Sequence, residues 1–259
     1  MEDIITIGLL ASYALLLALD VVFPARSYMR PRLWRLKGLA FFVVSIGLFS
    51  VLPFVWDAYL GAHRLVDASA LGTWGGAFVG LLTLQFCSYW WHRTLHRTPL
   101  LFRYFHQLHH SAERVDIFGA MYFSPLDVAG FAFCGSFALV WLVGVTPEAA
   151  VLANGVATFA SLFQHANLKT PRWLGYIIQR PENHALHHAR GIHAFNYGDI
   201  SLWDIVFGTF RNPESIEAAA GYYDGASSRI ASMLLGRDVT LAPRQAEATP
   251  SRAAPPAAA

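Results

Sequence analysis

Five long apolar stretches, separated by short polar segments, dominate the pattern of the chain. They run from Ile4 to Leu19, Gly38 to Trp56, Thr73 to Trp91, Val128 to Thr146 and Ala149 to Leu168. As helices, the last four reach about 28–30 Å, the thickness of a bilayer core. Pro147 and Glu148 leave room only for a tight hairpin or a re-entrant pair before the fifth stretch. The pattern therefore predicts an all-α integral membrane helix bundle with four to five spans.

The composition points to the same class of protein. Apolar residues make up 55% of the 259 positions and charged residues only 14%, whereas a soluble domain is roughly a quarter charged. The first stretch follows Glu2 and Asp3 rather than a basic segment, so we expect it to be a span and not a cleaved signal peptide. The formal net charge of +2 gives no reason to expect a nucleic-acid partner. Cys87 and Cys134 both fall inside apolar stretches, where small core residues are expected.

The distribution of basic residues predicts the orientation in the membrane. The loop between the first two stretches carries Arg26, Arg30, Arg32, Arg35 and Lys37 without an acid. The positive-inside rule makes this loop cytoplasmic and the N-terminus external. Segment 92–127 and the chain after His165 are then also cytoplasmic. All clustered histidines are therefore expected on the cytoplasmic side of the membrane, where they would form a histidine-rich helical cap on the bundle.

Histidines are the strongest chemical signal, since nine of the eleven fall between positions 92 and 188. They form one H-x-x-x-H pair, two H-x-x-H-H clusters and a single histidine at the end of the fifth stretch: His92 and His96; His106, His109 and His110; His184, His187 and His188; and His165. Residues three and four apart share a helix face. Neutral imidazole binds divalent iron, copper, zinc and nickel, and nine ligands exceed the needs of one zinc ion. The pattern therefore predicts two metal ions.

Two further histidines lie outside these clusters, and haem and zinc are two other metal chemistries that use histidine ligands. His63 lies on the external loop between the second and third apolar stretches and is expected to be solvated. His193 is off the helical spacing of the third cluster, which favours a supporting or a surface role over ligation. A haem electron carrier would place isolated histidines within the spans. A zinc hydrolase needs a general base beside the metal, as in H-E-x-x-H, and no acid lies inside any cluster. Histidine-ligated haem or zinc remains the alternative, together with a non-catalytic metal store.

The clusters and their surroundings resemble the fatty acid hydroxylase superfamily, which includes sterol desaturases, sphingolipid hydroxylases and alkylglycerol monooxygenases. The resemblance covers about 84–212. Beyond the histidines it rests on Tyr89-Trp90-Trp91-His92-Arg93, His109-His110-Ser111, Asn196-Tyr197-Gly198, Trp203-Asp204 and Phe207-Gly208-Thr209. It implies a membrane oxidoreductase with two non-haem iron ions and O2 as co-substrate, hydroxylating or desaturating an alkyl C–H bond of a sterol, fatty acyl, sphingoid or ether lipid. It also implies that all nine clustered histidines are metal ligands.

The resemblance leaves several points open. Some members carry a further histidine where this chain has Lys169, so a tenth ligand is missing or is replaced by His193 or by a water held by Asn167. No fused haem-binding domain is evident, so we expect electrons from a separate donor, a b-type cytochrome or a ferredoxin with its reductase. Trp203 and Asp204 either orient ligands or pack and cap a turn. Four arginines, Arg93, Arg97, Arg103 and Arg190, either neutralise a lipid head group or only set the topology.

These inferences divide the chain into four parts. Residues 1–72 are expected to form an N-terminal transmembrane hairpin and 73–212 the di-iron catalytic domain. Residues 213–237 form a C-terminal cytoplasmic segment. From Asp238 to the end, Ala, Pro, Thr and Arg without apolar periodicity predict a disordered tail.

Overall fold

The computed structural model describes residues 2–242, which are helical apart from loops and two isolated β-bridges. The helices are α1 (Glu2–Val22), α2 (Trp34–Val51), α3 (Pro53–Ala62), α4 (Gly72–Arg97), α5 (Pro99–Leu101), α6 (Gln107–His110), α7 (Pro125–Ser136), α8 (Pro147–His165), α9 (Pro181–His187), α10 (Leu202–Val206) and α11 (Ile230–Leu234). A π-helical turn, Phe102–His106, joins α5 to α6, and another, Phe137–Leu142, extends α7. The prediction of an all-helical fold is confirmed.

Three helices are long and apolar enough to cross a membrane. They are Trp34–Ala62, which comprises α2 and α3, Ser69–Arg97, which comprises a 3₁₀ turn and α4, and Pro125–Leu142, which comprises α7 and its π-helical turn. A shorter apolar helix covers Ile7–Val22 within α1. Large apolar side chains such as Phe54, Val55 and Trp74 are more than three-quarters exposed on these helices. Such surfaces indicate lipid as the surrounding solvent. Whether four or five segments span stays a prediction.

Close packing of α4 against α8 and α7 determines where the histidines meet. A Cβ atom on Gly76 would lie 2.9 Å from the Cβ of Ala149, and one on Gly80 would lie 2.9 Å from Leu139 Cδ2. Small residues let the helix backbones approach at these points. Since α4 and α8 run side by side, the histidines at the end of α4 lie next to His165 at the end of α8.

The buried carboxylate of Asp20 links α1 to the histidine-rich segments that follow α4 and α8, which are called the cap below. Its Oδ2 accepts hydrogen bonds from the backbone amides of Ile117 (2.8 Å) and Asn167 (3.0 Å). Asp116 accepts from the indole of Trp34, at 2.9 Å, at the start of α2. The polar residue near the end of the first apolar stretch thus anchors two connecting segments.

The packed part of the chain continues past the predicted boundary at Asp238. Val239 is fully buried, and its amide lies 3.4 Å from Gln107 Oε1. An apolar side chain inserted under α6 explains why this part is ordered in spite of its polar neighbours. The rest of the predicted tail, 243–259, lies outside the described residues.

Candidate metal centre

All nine clustered histidines come together at the end of the bundle, where they form two adjacent groups. The five-histidine group consists of His92, His96, His106, His110 and His187, and the four-histidine group of His109, His165, His184 and His188. Within each group, one ring nitrogen per residue lies within 4.8 Å of all the others. The histidines that converge come from α4, α6, α8, α9 and the residue that follows α9, and from the π-helical turn before α6.

The spacing of the converging nitrogens in the five-histidine group fits a shared ion. The Nε2 of His92 lies 2.9 Å from that of His106 and 3.2 Å from that of His96. The Nε2 atoms of His110 and His187 are 3.1 Å apart. Two nitrogens bound at about 2.1 Å and at right angles to one metal ion would be about 3.0 Å apart.

The four-histidine group has the same spacing. His165 Nε2 lies 3.1 Å from His109 Nε2 and 2.9 Å from His184 Nε2. His184 and His188 approach within 3.0 Å through the same atoms. Each group therefore offers a compact set of nitrogen donors, and four or five nitrogens leave open positions on an octahedral ion.

In three of the imidazole rings, a hydrogen bond on the side facing away from the group determines which ring nitrogen carries the proton. His92 Nδ1 lies 2.7 Å from the carbonyl of Tyr197, His187 Nδ1 2.7 Å from that of Phe195, and His165 Nδ1 2.6 Å from that of Ser161. A carbonyl oxygen only accepts, so Nδ1 must be the protonated atom and Nε2 of the neutral ring carries a lone pair. Several lone pairs then face one another at about 3 Å, an arrangement that a cation stabilises. The residues present therefore fit metal ions.

Burial keeps the cap histidines in the neutral form that binds metal. Desolvation, followed by the neighbouring imidazoles, lowers the pKa of six of them well below the usual range for histidine: His106, His109, His110, His184, His187 and His188. Protonating the groups instead would place several positive charges in a dry pocket.

Helix periodicity distributes each H-x-x-H-H cluster over both groups. His106 and His110, four residues apart, join the five-histidine group, while the intervening His109 joins the other. The third cluster has the complementary arrangement, since His184 and His188 belong to the four-histidine group and His187 to the other. Residues four apart lie about 40° apart around a helix axis, whereas adjacent residues differ by about 100°. One helix face can therefore supply two neighbouring ions.

A strained loop after α9 orients two imidazoles of the five-histidine group. His193, Phe195 and Asn196 have φ angles of 41°, 67° and 48°, a left-handed conformation that costs free energy in residues other than glycine. This conformation directs the carbonyls of Phe195 and Tyr197 to His187 and His92. Strain at such a loop persists only when surrounding contacts hold it.

Asp204 supplies those contacts. Its buried carboxylate accepts hydrogen bonds from the amides of Tyr197 (2.9 Å) and Gly198 (2.8 Å) and from the hydroxyl of Thr209 (2.7 Å). The Gly198 amide belongs to the same peptide unit as the Tyr197 carbonyl, so Asp204 fixes the carbonyl that orients His92. Trp203 packs edge-on against Phe86 and donates to a backbone carbonyl of α4. Of the two roles left open for this pair, Asp204 supports a ligand-orienting loop and Trp203 packs.

Asp127 is a functional residue that the sequence patterns missed. Its Oδ2 lies 2.7 Å from Nδ1 of His106, and both side chains are almost fully buried. Carboxylates in this position orient metal-binding imidazoles and raise their basicity. The available signal was its place in Ser124-Pro125-Leu126-Asp127, where a helix start fixes a carboxylate at the border of an apolar stretch.

Three other residues singled out from the sequence lie outside the two groups. His193 Nδ1 is 3.0 Å from Nδ1 of His110, the nitrogen that faces away from the group. The side chain of Asn167 exchanges hydrogen bonds with the backbone of Arg26 on both its oxygen and its nitrogen, so it does not hold a water at the centre. His63 is exposed, as expected.

A cavity of about 550 Å³ runs from the two groups into the membrane-spanning part of the bundle. Five of the nine histidines line one end: His92, His106, His109, His165 and His184. Apolar side chains of α1, α2, α7 and α8 line most of the rest, among them Leu10, Phe42, Phe131 and Leu162. The cavity has the shape and polarity to bring an alkyl chain to both metal-binding groups.

The arrangement does not fit a haem. Two axial imidazoles must face each other across a porphyrin, yet neighbouring Nε2 atoms here are only 2.9–3.2 Å apart. Porphyrin atoms have no room between them. Both metal-binding groups also consist of histidine alone within the described residues, so neither group includes a carboxylate.

Comparison with known proteins gives a family match over the same region. The fatty acid hydroxylase family model matches residues 77–209, just over half of the chain. An ornithine lipid hydroxylase of Rhizobium tropici is 31% identical over 54% of this chain and 44% of its own. The alkylglycerol monooxygenase of Homo sapiens is 28% identical over 68% of this chain and 43% of its own. A sterol 5(6)-desaturase of Gibberella zeae is 30% identical over 62% and 46%.

The chain spans about half the length, or less, of these relatives. No solved structure matches it significantly. The shared segment nevertheless contains every histidine of the five-histidine group and His109, His165, His184 and His188 as well.

Proposed function

Since the chain belongs to the fatty acid hydroxylase family, we propose that it is an integral membrane oxidoreductase that uses two non-haem iron ions and O2 to hydroxylate or desaturate an alkyl C–H bond of a lipid. Residues 73–212 form its catalytic part, and all nine clustered histidines are ligands. The observation that carries the proposal is the convergence of two sets of imidazole nitrogens at one end of an apolar cavity.

The ions supply the activation of O2 that side chains alone do not provide. The residues of the chain do the rest. Nine neutral imidazoles hold the ions, while Asp127 and the carbonyls of Tyr197 and Phe195 fix the orientation of three rings. The apolar cavity holds the alkyl chain with one carbon next to the ions and excludes bulk water, which limits side reactions.

The relatives support a lipid substrate. Their names describe oxidation of ornithine lipids, alkylglycerols and sterols, which share long alkyl chains or fused apolar rings. Both hydroxylation and desaturation begin with removal of a hydrogen atom from carbon, so the same pocket supports either outcome. The lipid enters from the membrane through the cavity between α1, α2 and α8.

The proposal includes a separate electron donor, a b-type cytochrome or a ferredoxin with its reductase. The basic residues of the loop between α1 and α2 support a cytoplasmic position for the metal centre. The cap would then face the compartment in which such donors occur.

Two measurements test the proposal. Purified protein should hold two iron ions per chain. Lipid mass spectrometry of cells with and without the protein should reveal a species that has gained one oxygen atom or lost two hydrogen atoms. His109→Ala should abolish the new species, and His63→Ala, which changes an exposed histidine, should not. Full activity of His109→Ala, or one zinc ion without iron dependence, would contradict the proposal; the latter would favour a zinc hydrolase.

A further inference from the structure

Far from the histidines, the wall of the apolar cavity carries three polar residues, which together are called the polar level below. Asp57 of α3, Ser136 of α7 and Asn154 of α8 all line the cavity. They come from three different helices, and their neighbours in the lining are apolar, including Phe49, Leu139 and Ala150. Charged and polar residues within a spanning segment are costly and usually serve a function.

Packing distances indicate that Asp57 and Asn154 lie at the same depth. Along α3, Trp56 contacts Phe133, with ring centres 5.5 Å apart, and a Cβ on Gly61 would lie 3.6 Å from Val140 Cγ1. These two contacts indicate that Asp57, one residue after Trp56, lies near the level of Gly135 of α7. A Cβ on Gly135 would lie 3.7 Å from Asn154 Oδ1. The two polar side chains thus flank one turn of α7.

The depth of this level follows from the helix rise. Asn154 precedes His165 by eleven residues of α8, which is roughly 16 Å at about 1.5 Å per residue. Gly135 follows Asp127, the partner of His106, by eight residues of α7, which is roughly 12 Å. Both helices place the polar level about 12–16 Å from the metal-binding end.

Asp57 has an unsatisfied hydrogen-bonding group. Its Oδ1 is buried and has no hydrogen-bond partner among the described residues. No ion pair in that part of the chain involves it either. A carboxylate oxygen removed from water without a donor is unfavourable, so a ligand that brings a donor would be stabilised at this position.

We propose that Asp57, assisted by Asn154 and Ser136, binds a hydroxyl or amino group of the lipid substrate at the end of the cavity remote from the metal ions. This inference rests on the proposed function and specifies its substrate class. A carboxylate accepts hydrogen bonds and repels anions, so the lipid carries a neutral or cationic donor at this point and not a carboxylate or phosphate.

The position of the anchor also determines which carbon is oxidised. A donor group held at Asp57 leaves about 12–16 Å of alkyl chain or ring system between it and the ions. Oxidation should therefore occur far from this polar group, towards the opposite end of the molecule. Shortening the lipid by a few carbons would withdraw its far end from the ions without changing the anchor.

Photochemical cross-linking tests the anchor without requiring catalysis. The probes are 1-hexadecanol, 1-hexadecylamine and hexadecanoic acid, each with a diazirine on the carbon next to the polar group. The purified full-length protein, in detergent, is irradiated and the labelled peptides are identified by mass spectrometry. The alcohol and the amine should label peptides around Asp57 and Asn154, and the acid should label them at least tenfold less.

Substitutions then separate a specific anchor from general apolar binding. Asp57→Leu should reduce labelling by the alcohol about tenfold or more, since a hydrogen bond to a charged group is lost. Asn154→Val should reduce it less, and Asp67→Asn, which alters an exposed carboxylate on the same side, should leave it unchanged. Equal labelling of wild type and Asp57→Leu, equal labelling by acid and alcohol, or labelling next to the histidines would each overturn the anchor.

The two proposals fail in different ways. Protein that binds no iron and oxidises no lipid, yet shows the Asp57-dependent labelling, would contradict the proposed function and leave the binding site standing. Iron-dependent lipid oxidation with labelling that is unaffected by Asp57→Leu would remove the anchor and leave the enzyme.

Discussion

His106 Nδ1 lies 2.7 Å from Oδ2 of Asp127, so a carboxylate at the start of α7 contacts an imidazole of the five-histidine group. Ser124 holds the same turn, because its hydroxyl accepts from the Asp127 amide and donates to the Phe105 carbonyl. The first turn of a membrane helix is thereby fixed against the π-helical turn that carries His106. The orientation of this ring thus depends on the position of α7.

We expect Asp127→Asn to weaken metal binding by the five-histidine group by about 10–100-fold. The amide keeps the size of the carboxylate but loses its charge, which makes His106 a poorer donor. Iron content measured against a competing chelator checks this, with Asp67→Asn as the control. Unchanged iron retention would show that Asp127 serves only to start α7.

Asp204→Asn should destabilise the cap. The carboxylate accepts from two backbone amides, the Thr209 hydroxyl and the Gln179 side chain, and an amide NH2 group in place of either oxygen would confront at least one donor. Loss of such buried bonds costs about 1–3 kcal/mol. Thermal unfolding in detergent should show a lower midpoint, and iron content should fall with it because the His92 ring loses its support. Asp224→Asn, on an exposed ion pair with Arg190, is the control and should change neither.

The histidine spacing was sufficient to predict which residues come together, since a ligand pattern with a period of three and four is local. It did not predict how they divide, because His109 and His110 are adjacent in sequence and yet face different groups. The residues that orient the imidazole rings also could not be predicted from the sequence. Asp127 and the carbonyls of Phe195 and Tyr197 act through a helix start and left-handed backbone, which depend on tertiary contacts.

The polar level of the cavity shows the same limit. Hydropathy ends the second apolar stretch at Trp56, whereas α3 continues to Ala62 and Asp57 lines the cavity. A helix that continues through Leu52, whose φ and ψ angles of −61° and −39° are helical, and past Pro53 cannot be distinguished by composition from the end of a span. Only packing against α7 reveals that the carboxylate faces inwards.

Asp199 should make stability depend on pH in a mildly acidic window. Burial raises the pKa of its carboxyl to about 6, above the value of about 3.9 in an unfolded chain. Between these values the folded state binds a proton that the unfolded state releases, so the contribution of Asp199 to stability falls as pH rises from about 4 to 6. The buried neutral histidines contribute in the opposite direction, so the effect of Asp199 is read from the difference between wild type and Asp199→Asn. About one unit above the folded pKa, near pH 7, the cost is complete and constant.

Asp199→Asn removes this titration and should flatten the decline. The carboxylate accepts from Gln85 and Gln164, and Gln164 Oε1 has no partner among the described residues. An asparagine can accept from one glutamine and donate to the other. We therefore expect the midpoint of thermal unfolding at pH 8 to be equal to or higher than that of wild type. A variant that loses stability equally at pH 4.5 and pH 8 would contradict the raised pKa.

His193→Ala should retain both metal ions, whereas His187→Ala should lose metal from the five-histidine group. The distinction follows from which atom of His110 each contacts: His187 approaches Nε2, on the side of the group, and His193 approaches Nδ1, on the outer side. His193 also adopts a positive φ angle of 41°, so His193→Gly should relieve strain and be at least as stable as His193→Ala. Iron content and thermal unfolding of the three variants, compared with His63→Ala, provide the measurement. If His193→Ala lost as much iron as His187→Ala, His193 would have to be counted as a tenth ligand.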